Sequence, residues 1–174
     1  MNDTVRPIYA QGTFIVCSDG NVTQEITFDY LDKELYYWNL LSREEEFEKE
    51  LDRLSLNMQS FLDEEIVRIN GKRVFPKVVD VDIGFRGSED RPYITFYIMF
   101  RGDLRRGVNV YEDTYEPEVS EYDYTVTWVF TGGLTVLRAY LGVNYDILAD
   151  GKLLIFSVPK GFTTPGYEKI EFKL

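Results

Sequence analysis

One change of hydrophobic period divides the sequence and constrains its fold more than any other feature. Five apolar residues recur at alternating spacings of four and three, namely Phe47, Leu51, Leu54, Met58 and Phe61. This spacing places them on one stripe of an amphipathic helix. From Glu65 onward, apolar residues alternate with polar ones at period two, which is typical of half-buried strands. The sequence therefore predicts one long helix followed by an extended β region.

The predicted helix spans residues 42–63. Ser42 is placed to cap free backbone N–H groups, and Glu45 three residues later completes a capping box. The acidic residues of the first turn lie at the positive end of the helix dipole, which favours them. A coiled-coil seam is the alternative, but the stripe is shorter than the three or four heptads such a seam needs. We expect the stripe to pack on a sheet.

Residues 1–41 are predicted to form an N-terminal hairpin and an apolar connector. Alternating strands flank the polar turn 18–21, and the apolar run 35–41 is too short and dense to assign. In the β region 64–174, Asn70-Gly71 favours a tight type I′ turn. The run 93–100 is apolar at nearly every position, which predicts a central strand covered on both faces.

These elements predict an α+β fold. It consists of a largely antiparallel sheet or sandwich of about ten strands with one long amphipathic helix packed on it. We expect residues 1–174 to form a single domain, because domains usually contain about 100–200 residues.

Composition excludes several classes of chemistry. The chain has no histidine and one cysteine, Cys17, so the usual Ser-His-Asp and Cys-His nucleophile systems are absent. No phosphate-binding or dinucleotide-binding glycine motif occurs, and no cofactor is expected.

The formal charge of −11 argues against nucleic-acid binding. The cysteine content and the N-terminal sequence predict a cytoplasmic protein without a membrane span, and the abundance of Glu, Lys and Arg is compatible with a thermophilic source.

A tyrosine-rich acidic segment between residues 111 and 124 is the first candidate site. The predicted partner-binding residues are Tyr111, Glu112, Asp113, Tyr115, Glu116 and Tyr122. Carboxylates and amphipathic phenols suit a basic partner, and they could instead hold a hard cation. The alternative without a function is a solvated loop that protects neighbouring strand edges.

Aromatic residues supply a second candidate site. Tyr97, Tyr124, Trp128 and Phe130 are predicted to line a concave sheet face under the helix, where they could bind a small apolar or amphipathic ligand. The same residues could equally form solid core, because protein interiors pack with few voids.

A third candidate is the pair Asp80 and Asp82, which share one side of a strand because side chains repeat every two residues. Two such carboxylates could bind a divalent metal or divide acid and base roles. The alternating pattern also explains both as the polar face of an amphipathic strand.

Three functions remain open from the sequence. The first is a non-enzymatic interaction or assembly module that uses a tyrosine-rich acidic surface toward a protein partner or a second copy in a homodimer. The second is a binding protein for a small apolar or amphipathic ligand between helix and sheet. The third is a carboxylate-based hydrolase or transferase, in which acids converge with Arg86 or Arg101. We favour the first, because it requires no catalytic or ligand-binding role from residues that already have structural roles.

Overall fold

A computed structural model describes residues 5–174, and these form two β-sheets and two helices. The strands are β1 (Val5–Val16), β2 (Asn21–Asp32), β3 (Arg68–Ile69), β4 (Lys72–Arg73), β5 (Lys77–Phe85), β6 (Pro92–Arg101), β7 (Val108–Thr114), β8 (Asp123–Phe130), β9 (Thr135–Tyr140), β10 (Tyr145–Leu148), β11 (Leu153–Val158) and β12 (Tyr167–Lys173). The helices are α1 (Tyr36–Leu40) and α2 (Glu44–Glu64).

Seven strands form the large sheet, in the order β10-β11-β8-β1-β2-β6-β5. Five strands form the small sheet, in the order β4-β3-β7-β12-β9. Every pairing is antiparallel except that of β1 with β8, where Tyr9 lies opposite Asp123 and Val16 lies opposite Phe130. The α+β class and the antiparallel bias predicted from the sequence are confirmed.

One face of the large sheet, the inner face, carries two hydrophobic clusters. Under α2, the helix residues Leu54 and Leu62 pack with core residues of β5 and β6 such as Ile83 and Ile94. The other cluster joins β8 and β11 to the small sheet, with Trp128 at its centre. The large sheet is therefore covered by a helix at one end and by a second sheet at the other.

The element count differs from the prediction. The described residues contain twelve strands instead of about ten, and two helices instead of one, because the apolar run 35–41 includes α1. The Asn70-Gly71 turn is confirmed, since both residues have positive φ, at 52° and 77°. The expectation that the central strand is buried on both faces was wrong for β6. Ile94 is fully buried, but Met99 on the opposite side is 47% exposed.

Helix α2, Glu44–Glu64, begins two residues and ends one residue later than the predicted span 42–63, and two further details of the prediction were wrong. Its N-cap is Arg43, which makes no side-chain capping bond, while the Ser42 hydroxyl donates backward to the carbonyl of Asn39 at 3.0 Å. Phe61 is 62% exposed and Leu62 is buried in its place. Three helical turns of 3.6 residues cover about 10.8 residues, so the stripe that passes through Leu51 reaches Leu62 and not Phe61.

Candidate functional site

The end of α2 is joined to the small sheet by backbone hydrogen bonds. Ile66 and Thr114 exchange two of them, with N–O distances of 2.9 and 3.3 Å. Glu65, which directly follows α2, is therefore held beside the end of β7. Here the two layers that cover the large sheet meet.

Two carboxylates of the small sheet stand opposite each other at this point. Asp113 on β7 pairs in register with Glu168 on β12, and the next inward pair is Tyr111 with Ile170, both buried. Because alternate strand residues share a face, Asp113 and Glu168 also project toward the large sheet. Like charges directly opposite each other destabilise a sheet if both are ionised.

Phenol groups surround these carboxylates. The Tyr115 hydroxyl donates to Oε1 of Glu168 at 3.0 Å, and the Tyr111 hydroxyl makes a longer bond of 3.4 Å to Oδ2 of Asp113. The other oxygen of Asp113, Oδ1, is buried and has no hydrogen-bond partner among residues 5–174. We call this set the acidic junction: Glu65, Asp113, Glu168, Tyr111, Tyr115 and Tyr124.

Burial raises the pKa of every group in the acidic junction. It raises the pKa of Glu65 to about 8, with a further contribution from the negative charges of Asp113 and Glu168. It likewise raises the pKa of Glu168 to about 7 and that of Asp113 to about 6. The pKa of Tyr124 rises to about 12, mainly through burial and then through the Glu168 charge. Within the described chain none of the three carboxylates forms an ion pair. At pH 7 Glu65 is mostly protonated, Glu168 is about half protonated and Asp113 is mostly ionised.

A second candidate region is the outer face of the large sheet, opposite both hydrophobic clusters. Strand register aligns one residue from each strand in a row across this face: Leu148, Leu153, Val129, Ile15, Thr23, Met99 and Lys77. We call it the apolar row. Leu148, Ile15 and Met99 are 48%, 39% and 47% exposed. With about 4.8 Å between strands, the row extends over about 29 Å.

The neighbouring row on the outer face is acidic. Its members are Asp146, Ile155, Thr127, Thr13, Glu25, Tyr97 and Asp80, and we call it the acidic row. It contains three carboxylates and no basic residue. Burial raises the pKa of Tyr97, and the negative charges of Glu25 and of Asp80 and Asp82 on β5 raise it further. A third row is held by hydroxyl pairs, with 2.9 Å between the oxygens of Thr27 and Thr95.

The structure divides the four predicted ligand-binding residues between two faces. Trp128 and Phe130 are each 2% exposed and lie beneath the small sheet, with Tyr124 packed against the same cluster. Tyr97 is on the outer face instead. An open cleft of about 600 Å³ lies elsewhere, around the turn between β9 and β10, where Leu141 and Phe162 line it. A ligand-binding role for the four residues stays a prediction.

Three of the six predicted partner-binding residues, Tyr111, Asp113 and Tyr115, belong to the acidic junction. Tyr111 is buried, Asp113, Tyr115 and Tyr122 are half-buried, and Glu116 is exposed. Glu112 points to the opposite side of β7, where it accepts a 2.8 Å hydrogen bond from the Tyr167 hydroxyl. The first four residues of this segment, 111–114, belong to strand β7 and not to a loop. Its role in partner binding stays a prediction.

Asp80 and Asp82 lie exposed on β5, on the outer face and away from the acidic junction. Arg86 does not approach them through an ion pair, because its guanidinium binds Asp29 at 3.0 Å and lies over the Tyr93 ring. Within residues 5–174, no group of three or more His, Cys, Asp or Glu side chains is arranged to hold a metal ion.

Sequence reasoning missed Glu65, Glu168 and the apolar row. Glu65 stands where the predicted helix gives way to strands, and Glu168 lies in the predicted β region 64–174. Their proximity depends on the pairing of β7 with β12, which joins segments more than fifty residues apart. The composition of the two segments, with acids flanked by tyrosines, was the available signal.

Comparison with known proteins identifies no family for this chain. No protein-family model matches it, and no curated protein matches it. Among solved structures, the folded domain of LppM from Mycobacterium tuberculosis is similar over 98% of this chain and 92% of that chain, with 9% identity and a TM-score of 0.43. An M1 zinc metallopeptidase from Deinococcus radiodurans is similar over 99% of this chain, with 8% identity and a TM-score of 0.41.

An aminopeptidase N family protein from Idiomarina loihiensis is similar over 94% of this chain, with 9% identity and a TM-score of 0.37. This chain spans 43% and 29% of the two peptidase chains. At these scores the similarity supports no inference about activity. No described helix combines the length and the apolar character that crossing a membrane requires.

Proposed function

We propose that this chain is a non-enzymatic protein-interaction module whose docking surface is the outer face of the large sheet. The apolar row is the observation that carries this proposal. Five of its seven residues are apolar: Leu148, Leu153, Val129 and Ile15 lie on adjacent strands, and Met99 follows beyond Thr23. Large apolar patches on a protein surface mark interaction sites.

The adjoining acidic row defines the chemistry of the partner. Asp146, Glu25 and Asp80 line one side of the apolar strip, and Lys77 at the far end is engaged by Asp63 at 3.3 Å. A partner that fits this face presents an apolar stripe flanked by lysine or arginine side chains. Electrostatic complementarity of this kind gives specificity and speeds association.

A second copy of the chain fits the face less well. A two-fold contact places the same patch of both copies together, so two acidic rows would be brought into one interface. Like charges at an interface cost several kcal/mol, on the order of the binding energy that distinguishes partners. We therefore expect the partner to be a different, basic protein segment.

Two synthetic peptides test this function. One is an amphipathic 20-residue helix with a leucine stripe flanked by lysines, and the other has glutamates in the lysine positions. We expect the lysine peptide to bind the wild-type chain in calorimetry and the glutamate peptide not to bind. The double variant Ile15→Ser/Met99→Ser should weaken binding of the lysine peptide at least about tenfold, because it removes the centre of the apolar contact.

Leu56→Ser is the matched control, because Leu56 is 72% exposed on α2 and away from the outer face. It should bind the lysine peptide like the wild type. Equal binding of both peptides, or no effect of the double variant, would contradict the proposal. A dimer in sedimentation that Ile15→Ser/Met99→Ser dissociates would show instead that the face is a self-association surface.

A further inference from the structure

The geometry of the acidic junction is destabilising when all of its carboxylates are ionised. Asp113 and Glu168 face each other across neighbouring strands, and Glu65 is fixed beside them by the bonds between Ile66 and Thr114. The buried Oδ1 of Asp113 has no partner within the described residues. An ionised oxygen in that position would be strongly destabilising, whereas a protonated carboxyl is neutral.

The groups that face the junction come from every element around it. They are Glu65 after α2, Tyr111 and Asp113 on β7, Tyr115 and Glu118 in the following loop, Tyr124 on β8, and Glu168 on β12. All are acids or phenols. Arg73 donates to the main-chain carbonyl of Glu65 at 3.3 Å and, in the described chain, forms no ion pair with its carboxylate.

We propose that the acidic junction is a proton-operated latch: its protonated carboxyls hold the end of α2, β7 and β12 together, and loss of these protons loosens that contact. The latch lies on the inner side of the large sheet, opposite the docking face, so it does not depend on the proposed function. It gives the three acidic residues a role that partner docking does not require.

The direction of the pH effect follows from the raised pKa values. Free Asp and Glu carboxyls have pKa values near 4, whereas the pKa values of Asp113, Glu168 and Glu65 are about 6, 7 and 8. The folded state therefore binds these protons more tightly than the unfolded chain. Their stabilisation is complete below about pH 4 and is lost as the pH rises through about 6 to 8.

Hydrogen–deuterium exchange between pH 5.5 and 8.5 tests the latch, after correction for the intrinsic exchange rate. In the wild type we expect exchange of segments 64–67, 111–116 and 166–170 to increase at least about tenfold over this range, which corresponds to one unit of pKa change. In the triple variant Glu65→Gln/Asp113→Asn/Glu168→Gln the exchange should be independent of pH, because the amides are always neutral.

Glu116→Gln and Glu121→Gln are the matched controls, since both residues are exposed acids of the same region. They should keep the wild-type pH dependence. A triple variant with the wild-type pH dependence, or a wild type without one, would overturn the proposal. If the triple variant does not fold, carbon-13 titration of side-chain carboxyls in the wild type decides: carboxyls that titrate above pH 5.5 support the latch, and titration of all carboxyls below pH 5 overturns it.

Discussion

Replacing Gly20 with alanine is expected to destabilise the chain by more than about 3 kcal/mol. Gly20 lies in the turn between β1 and β2 with a φ of 89°, and its carbonyl accepts a 3.0 Å hydrogen bond from the Gly102 amide. A Cβ at this position would overlap the carbonyl oxygen of Gly102. That atom belongs to the main chain, and Gly102 is itself held against the Ile69 side chain, so it cannot move away cheaply.

Gly87→Ala separates the steric cost of the added Cβ from the cost of the left-handed backbone conformation. Gly87 has a similar φ of 79°, but an added Cβ would meet no atom within 4 Å. Its replacement should therefore cost only the left-handed backbone penalty, about 1–2 kcal/mol. Denaturant unfolding of both variants measures the difference. Equal losses of unfolding free energy would contradict the steric account of Gly20.

Truncation of Trp128 to alanine should cost about 3–5 kcal/mol of unfolding free energy. Trp128 is 2% exposed, and its ring stacks on Phe14 with centroids 4.0 Å apart and planes inclined by 6°. The ring of Tyr111 meets it edge-on at 4.8 Å. Trp128 thus joins the large sheet to the small sheet, and its loss leaves a cavity between them.

Trp128→Phe is the conservative substitution with which Trp128→Ala is compared. The indole Nε1 is buried and has no hydrogen-bond partner within the described residues, so replacing the indole by a phenyl ring removes no bond there. We expect Trp128→Phe to cost less than half of what Trp128→Ala costs, as measured by chemical denaturation. A loss below about 1 kcal/mol for Trp128→Ala would contradict its central place in the core.

Sequence patterns predicted those secondary-structure elements that are determined by residues close together along the chain. The stripe from Phe47 to Met58 predicted α2 because helical burial repeats every 3.6 residues. Asn70-Gly71 predicted its turn because both positions require positive φ. The capping role of Ser42 was wrong because α1 ends at Leu40, two residues earlier, and the serine hydroxyl donates back to the Asn39 carbonyl of that helix.

The candidate sites could be predicted only in part, because each depends on register between distant strands. Asp113 and Tyr115 stand out in the sequence, but nothing local places Glu168 opposite Asp113. The outer face poses the same problem, since Ile15 and Met99 become neighbours in one row only through β2. The apolar run 93–100 suggested double burial, whereas its outer half belongs to the exposed face.

The parallel pairing of β1 with β8 has a consequence for the order in which the chain folds. The hairpin of β1 and β2 can form early, but the other edge of β1 stays unpaired until a strand more than a hundred residues later is available. Closing so long a loop is slow, because its entropy is lost before the new contacts form. During synthesis, the backbone amides and carbonyls along that edge therefore remain open to pairing with other chains, and chaperone protection would matter most in this interval.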